Sequence, residues 1–224
     1  MAEQDSADTY GSDRAGLVWG YLLGAGAPSR QVTAEAAAEW LTGGSLARDK
    51  RFLWLHFSLA NASSERWMRQ HLELPETFFQ SFREPEGSTR VEQDGDVLLA
   101  VIHDVLFSST FEATDVSTVS LCVQPTLLVS ARPKPLRSLD RLRAGVSAGG
   151  SFRSPAELLA HLLREQAGVM VEIVRRSTSH IDGVEDRCSS IGCPPAGQSW
   201  ALSAGCWCGF SVSWRRNRPR CSGC

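Results

Sequence analysis

The chain has 224 residues, 42% of them apolar, and a formal net charge of −2. That apolar content suffices for a buried core and excludes disorder throughout, while the charge by itself points to no class of partner. No run of about 18 apolar residues occurs, so no segment is expected to span a bilayer; Met1 to Arg14 is polar and acidic without a signal-peptide pattern, which makes the cytosol the default compartment.

Residues 1–14 read as a flexible leader. Leu17 to Leu23 is apolar and bounded by glycines, which suits a strand. Thr33 is placed to cap an Ala-rich helix from Ala34 to Leu41, ended by Gly43. Phe52 to Leu59 (FLWLHFSL) is apolar enough for a strand buried on both faces. Ser63 is expected to cap a helix through Trp67, Met68 and Leu72, and Pro75 to open a short one containing Phe78, Phe79 and Phe82. Asp94-Gly95 is the strongest turn signal, predicting a hairpin with a type I′ turn between Thr89–Gln93 and Val97–Phe107. Val116–Val123 and Leu127–Ala131 pair around Gln124-Pro125-Thr126. Pro133 and Pro135 end the sheet, because proline cannot donate to a ladder, and Ser138 begins a helix through Leu139 and Leu142.

The last helix carries the clearest signals. Ser154 offers an N-cap, Pro155 suits the first helical position, and Glu157 is placed to close a capping box. Leu158, Leu159, Leu162, Leu163, Val169, Met170, Ile173, Val174, Ile181 and Val184 follow at helical spacing. Gly168 is the strongest breaker before Arg187. A helix to that point extends about 50 Å, which suggests that it leads out of the domain, with its stripe partly exposed and favouring self-association or aggregation. The fold class expected is α/β: a mixed or largely antiparallel sheet flanked by helices over residues 15–150, then a long stalk-like amphipathic helix over 151–187.

No catalytic constellation is marked. There is no G-x-S-x-G, and Cys122 lies in an apolar strand where a thiol is usually inert. Gly24-Ala25-Gly26-Ala27 follows a strand but lacks the third glycine of a dinucleotide fingerprint. No enzymatic activity and no required cofactor are therefore expected. His56, His71, His103 and His161 show neither i, i+4 pairing nor an HExxH pattern, so each reads first as a structural or surface residue. His180 and Asp182 are two apart and do not share a helix face; metal-contacting residues stay unassigned. Arg132-Pro133-Lys134-Pro135 is too short a basic loop for nucleic acid.

The composition breaks near Arg187. Residues 188–224 hold six of the seven cysteines (Cys188, Cys193, Cys206, Cys208, Cys221, Cys224), three of the seven tryptophans, and no Asp, Glu or Lys. One reading is a small zinc-binding or interaction module around Cys221-x-x-Cys224, although only one knuckle is well formed. A disulfide framework suits a secreted chain better. A third reading is an out-of-frame, disordered tail. Cys and Trp codons both begin with TG, so a frame starting one base earlier reads each as NTG, which encodes Leu, Val or Met. With GC-rich third bases the restored text includes LRRVLVRLQRLLAPEPPALFR, an amphipathic helical pattern, and one lost base after the Arg187 codon accounts for it.

Three segments carry a resemblance: FLWLHFSLANASSERWMRQHLELPETF (Phe52 to Phe78), STVSLCVQPTLLVSARPKPLRSLDRLR (Ser117 to Arg143) and SFRSPAELLAHLLREQAGVMVEIV (Ser151 to Val174). Residues 17–187 resemble the N-terminal cytoplasmic domain of CorA-type metal-ion transporters, in the branch of the zinc transporter ZntB. The frame-restored text is similar to that family's stalk helix. The family's Gly-Met-Asn or Gly-Val-Asn signature and both membrane helices are missing. The resemblance implies a funnel-forming domain of a homopentamer, with identical subunits meeting through the long helix. It implies divalent ions, zinc or magnesium, as cargo, and an inner or plasma membrane location for the intact protein. It gives this chain no pore of its own, and contact with a membrane only through the missing C-terminal region. Glu84, Glu86, Asp94, Asp96, Asp104 and Asp115 would supply an acidic funnel surface that concentrates cations, or an ordinary solvated one.

Overall fold

The computed structural model describes residues 11–43, 46, 49–83, 89–105 and 116–190. The chain divides into two units, Met1–Arg176 and Ser177–Cys224. In the first, seven strands form one sheet: β1 (Leu17–Gly24), β2 (Arg30–Gln31), β3 (Arg51–Ser58), β4 (Arg90–Asp94), β5 (Val97–Val105), β6 (Val116–Gln124) and β7 (Leu127–Arg132). Their order is β2-β1-β3-β7-β6-β5-β4. Only β3 and β7 run parallel among the described pairs; the rest are antiparallel, so the sheet is mixed as expected.

Side-chain alternation along the strands divides the core in two. Trp19, Phe52, Trp54, Ile102, Leu121 and Leu128 meet α4 (Arg137–Ser147) and the start of α5 (Pro155–Ser190). Leu53, Leu55, Phe57, Cys122 and Val129 face the opposite way, against α1 (Ala34–Thr42), α2 (Ser63–His71) and α3 (Glu76–Gln80). β3 and β7 are buried along nearly their whole length, because helices cover both faces. The fold is thus a three-layer α/β sandwich. Gly16, at φ +84°, lets β1 begin hard against α2: a Cβ there would lie 1.8 Å from Ser64 Oγ.

Local signals in the sequence set most element ends. Thr33 Oγ1 accepts from Ala36 N–H, and Gly43 N–H donates to Glu39 O. At α5, Glu157 N–H donates to Ser154 Oγ at 3.2 Å, closing half of the predicted capping box. The other half differs, since Glu157 Oε2 accepts from Arg153 N–H rather than from Ser154. α5 passes through Gly168 without interruption.

Two expectations are corrected. Ser63 does not cap α2; it is the first helical residue, and Asn61 Oδ1 accepts its N–H at 2.9 Å. Asn61 also closes the turn after β3, its own carbonyl taking Ser64 N–H. The hairpin is not type I′ on Asp94-Gly95. Asp94 pairs with Val97, leaving Gly95-Asp96 as the loop, and only Gly95 has positive φ (58°), whereas type I′ needs it at both central residues. β2, two residues long, had no readable pattern. In the second unit residues 177–190 are helical and Ile181 is exposed. Residues 1–10 of the leader, Leu106 and Phe107, and the tail from 191 lie outside the described residues. No helix among the described residues is long and apolar enough to cross a membrane.

Candidate functional site

A histidine in an apolar strand must find partners, because a buried polar group without them costs several kcal/mol, about 2–7 depending on reference. His56 on β3 is fully buried and its partners come from β7, its parallel neighbour. Arg132 Nε–H donates to His56 Nε2 at 2.7 Å. A guanidinium has no lone pair, so Nε2 is the acceptor and the imidazole proton sits on Nδ1, 2.8 Å from Ser130 Oγ. That oxygen also accepts from Trp54 Nε1–H at 3.0 Å, and the Ser130 hydroxyl faces the Leu55 carbonyl at 3.4 Å. Trp19 stacks on the imidazole with centroids 3.9 Å apart, and Arg143 of α4 lies 4.8 Å from the Trp19 ring centre.

Burial, then the charges of Arg132 and Arg143, hold the His56 pKa well below the usual imidazole value. The ring is therefore neutral, fixed in one tautomer and engaged at both nitrogens. It has no lone pair left for a metal ion. Arg132, expected as part of a surface basic loop, is 6% exposed and is the group that fixes this tautomer. Burial raises the Asp140 carboxyl above its ordinary value.

Asp104 is corrected from a funnel-surface carboxylate to a fully buried one. Its Oδ1 accepts from Val105 N–H at 2.8 Å, and its Oδ2 accepts from Ser138 N–H at 3.0 Å and from the Ser138 hydroxyl. Leu136, at the N-cap of α4, has no side-chain oxygen to offer. A carboxylate from β5 thus caps a helix 34 residues later. The sequence hinted at burial only through position, two residues beyond Ile102 and so on the same face of an apolar strand.

The other expected candidates are not brought together. Asp94 and Asp96 sit exposed on the hairpin, while Glu84, Glu86 and Asp115 lie outside the described residues. His71 stacks on Trp67, His103 contacts Thr89, and His161 meets Phe152 edge-on. Asp182 is exposed, and the His180 side chain lies outside the described residues. Among the described residues no group of three or more His, Cys, Asp or Glu side chains is arranged to hold a metal ion. Burial pushes the Cys122 thiol up to about 12, which leaves it protonated and unreactive.

What α4 holds is α5. Leu158, Leu159 and Leu162 are buried against the sheet and α4, and Val169 is buried further along the helix. Arg141 of α4 pairs with Glu172 at 2.6 Å, and Gln166 donates to the His103 carbonyl. On the other side Leu163, Met170, Val171 and Val174 are exposed, Val174 by 64%. Leu163, Met170 and Val174 stand seven and then four residues apart, the spacing of a helix–helix seam.

The family model described as "CorA-like Mg2+ transporter protein" matches residues 49–192. Among solved structures, full-length CmaX matches with a TM-score of 0.69 at 20% identity, covering 80% of this chain and 54% of that one. The ZntB cytoplasmic domain from Vibrio parahaemolyticus matches at 0.55 and 13% identity, over 73% and 64% of the two chains. The complete CorA magnesium transporter from Methanocaldococcus jannaschii matches at 0.58 and 16%, over 76% and 51%. The chain thus spans about half to two thirds of the length of these structures, and at such identities they share its fold. No curated protein sequence matches the chain.

Proposed function

The chain belongs to the CorA-like Mg2+ transporter protein family, and from that premise we propose that it is the cytoplasmic domain of a divalent metal-ion transporter of the ZntB type, with zinc as cargo. The observation that carries this reading is the span of the family match, which begins just before β3 and runs to the end of α5. It therefore takes in the five strands β3 to β7 and the helices α2 to α5, leaving out β1, β2 and α1, and is not a local motif.

In this reading the sheet and α4 are a mount for α5. The buried His56 and Asp104 networks make that mount stiff, and the exposed stripe of Leu163, Met170 and Val174 is the surface on which identical subunits meet. The ion crosses, in this reading, through spanning segments other than this domain, since a route through hydrocarbon needs segments that satisfy their own backbone groups. We propose further that the transporter's stalk continues in the shifted frame after Arg187 and that residues 188–224 are its out-of-frame replacement. Support comes from the change of composition at that point and from the helical period of the restored text.

Sequencing the coding DNA beyond the Arg187 codon tests the second claim. Two apolar spans of about 20 residues and a Gly-Xaa-Asn tripeptide are expected in the shifted frame; a stop with no such spans would remove it. The frame-restored protein in proteoliposomes tests the first, by uptake of zinc against magnesium. Uptake of magnesium alone would leave the family and sink the zinc reading. Zinc bound by the present chain, and lost on deleting residues 188–224, would favour the small zinc module instead.

A further inference from the structure

The parallel strands β3 and β7 send their following helices to opposite faces of the sheet. The chain leaves β3 at Ser58 for α2, which packs with Phe57 and Leu55, and leaves β7 at Arg132 for α4, which packs with Trp54 and Leu128. Neighbouring parallel strands that part in this way open a crevice beyond their carboxyl ends, the place where open α/β sheets bind ligands. A cavity of about 400 Å³ lies there, within the size range of small-molecule sites. Leu59 and Asn61 line it from the β3 side and Pro133 from the β7 side.

The lining has two characters. Leu59, Phe82 and Pro133 are apolar. Thr118 and Ser120 of β6 add hydroxyls, and Ser81, which donates to the Phe78 carbonyl, lies 2.8 Å from Ser120 Oγ. Two charged groups line it, Glu65 and Arg83, and the cation is the more exposed of the two, its side chain 69% exposed against 35% for Glu65. Its contact with Glu65 is 3.5 Å, long beside the 2.7–2.9 Å of a charge-assisted bond, and Glu65 is already held by Arg69 at 2.9 Å. Arg83 can therefore turn to a ligand without stranding a carboxylate.

We propose that this crevice binds a small organic anion, with its carboxylate or phosphate on Arg83 and its apolar body against Leu59, Phe82 and Pro133. The site is independent of the transport reading: it lies on the α2–α3 face and uses no residue of α5. A ligand there bridges the ends of β3 and β7 to the turn after α3.

Benzoate, phenyl phosphate and uncharged benzyl alcohol, titrated into the full 224-residue chain and followed by amide shifts in NMR, test it. Saturable shifts at Thr118 and Ser120 are expected with at least one of the two anions, and the stronger of them identifies the headgroup. Arg83→Gln should weaken binding about tenfold or more, the loss of one charge-assisted contact. Ala62→Trp, at an exposed rim position, should abolish it; should that variant misfold, Arg83→Gln decides alone. No saturable shift up to 10 mM (a limit set at roughly the weakest fragment affinity of interest), equal binding of the alcohol, or indifference to Arg83→Gln would overturn the proposal.

Discussion

On the face of the sheet covered by α1, α2 and α3, the buried polar groups are hydroxyls and a thiol: Ser64, Ser81, Ser120 and Cys122. On the face covered by α4 and α5 the hydroxyls of Ser130 and Ser138 are joined by a histidine, an arginine and a carboxylate, each tied to named partners within 3.0 Å. Burial of apolar area is non-directional and tolerates a helix shifting along its seat. Fixed-charge hydrogen bonds do not, because a displaced donor leaves a buried group unpaired. The difference teaches which layer has to be held in one place. It is the layer that carries α5, the helix that runs on from the domain.

The largest effect should come from the non-directional face. Phe57→Ala empties a fully buried site and is expected to lower stability by about 3–5 kcal/mol in urea unfolding, to the same extent at pH 5 and pH 8. A loss that grew with acidity would mean that the two faces are not energetically distinct. Asp104→Ala should follow at about 2–3 kcal/mol, since it leaves the N–H groups of Val105 and Ser138 and the Ser138 hydroxyl without their acceptor. Hydrogen exchange should show the loosening first in α4. Loosening spread evenly over both layers would deny Asp104 its role as a cap.

The third contrast is in pH. The folded pKa of His56 is depressed, so below the unfolded value of about 6.5 the unfolded chain binds a proton that the folded one does not. Its contribution is fully present above that pH and is lost as the pH falls toward the folded value, with a slope of at most about 1.4 kcal/mol per pH unit. Asp13 and Asp140, both raised by burial, pull the other way at lower pH. Stability measured from pH 7.5 down to 5.5 should therefore decline, and His56→Gln should flatten that decline; an unchanged slope in the variant would show that another group titrates. The smallest effect concerns Cys122. With its thiol pushed up to about 12, alkylation at pH 8 should wait on unfolding, as peptide mapping by mass spectrometry would reveal. Rapid modification of the native protein at that position would contradict a closed core on this face.

The sequence by itself determined the parts whose causes lie within a few residues. The strands at Leu17, Phe52 and Leu127, the Thr33 cap, and the Ser154-Pro155-Glu157 start of α5 are local choices of dihedral angle and hydrogen bond, and they are in place as read. The hairpin was legible as a turn but not in its register, because register depends on which residue of β4 meets Val97 across the ladder. The tertiary structure alone decided the rest. His56 read as a lone histidine and Arg132 as a surface loop residue until β7 was laid parallel to β3; Asp104 read as a surface charge until α4 was set against β5. Those roles join residues 34 and 76 positions apart. No pattern along the chain encodes such a distance, since the partner of a buried charge is chosen by what the fold brings within about 3 Å of it.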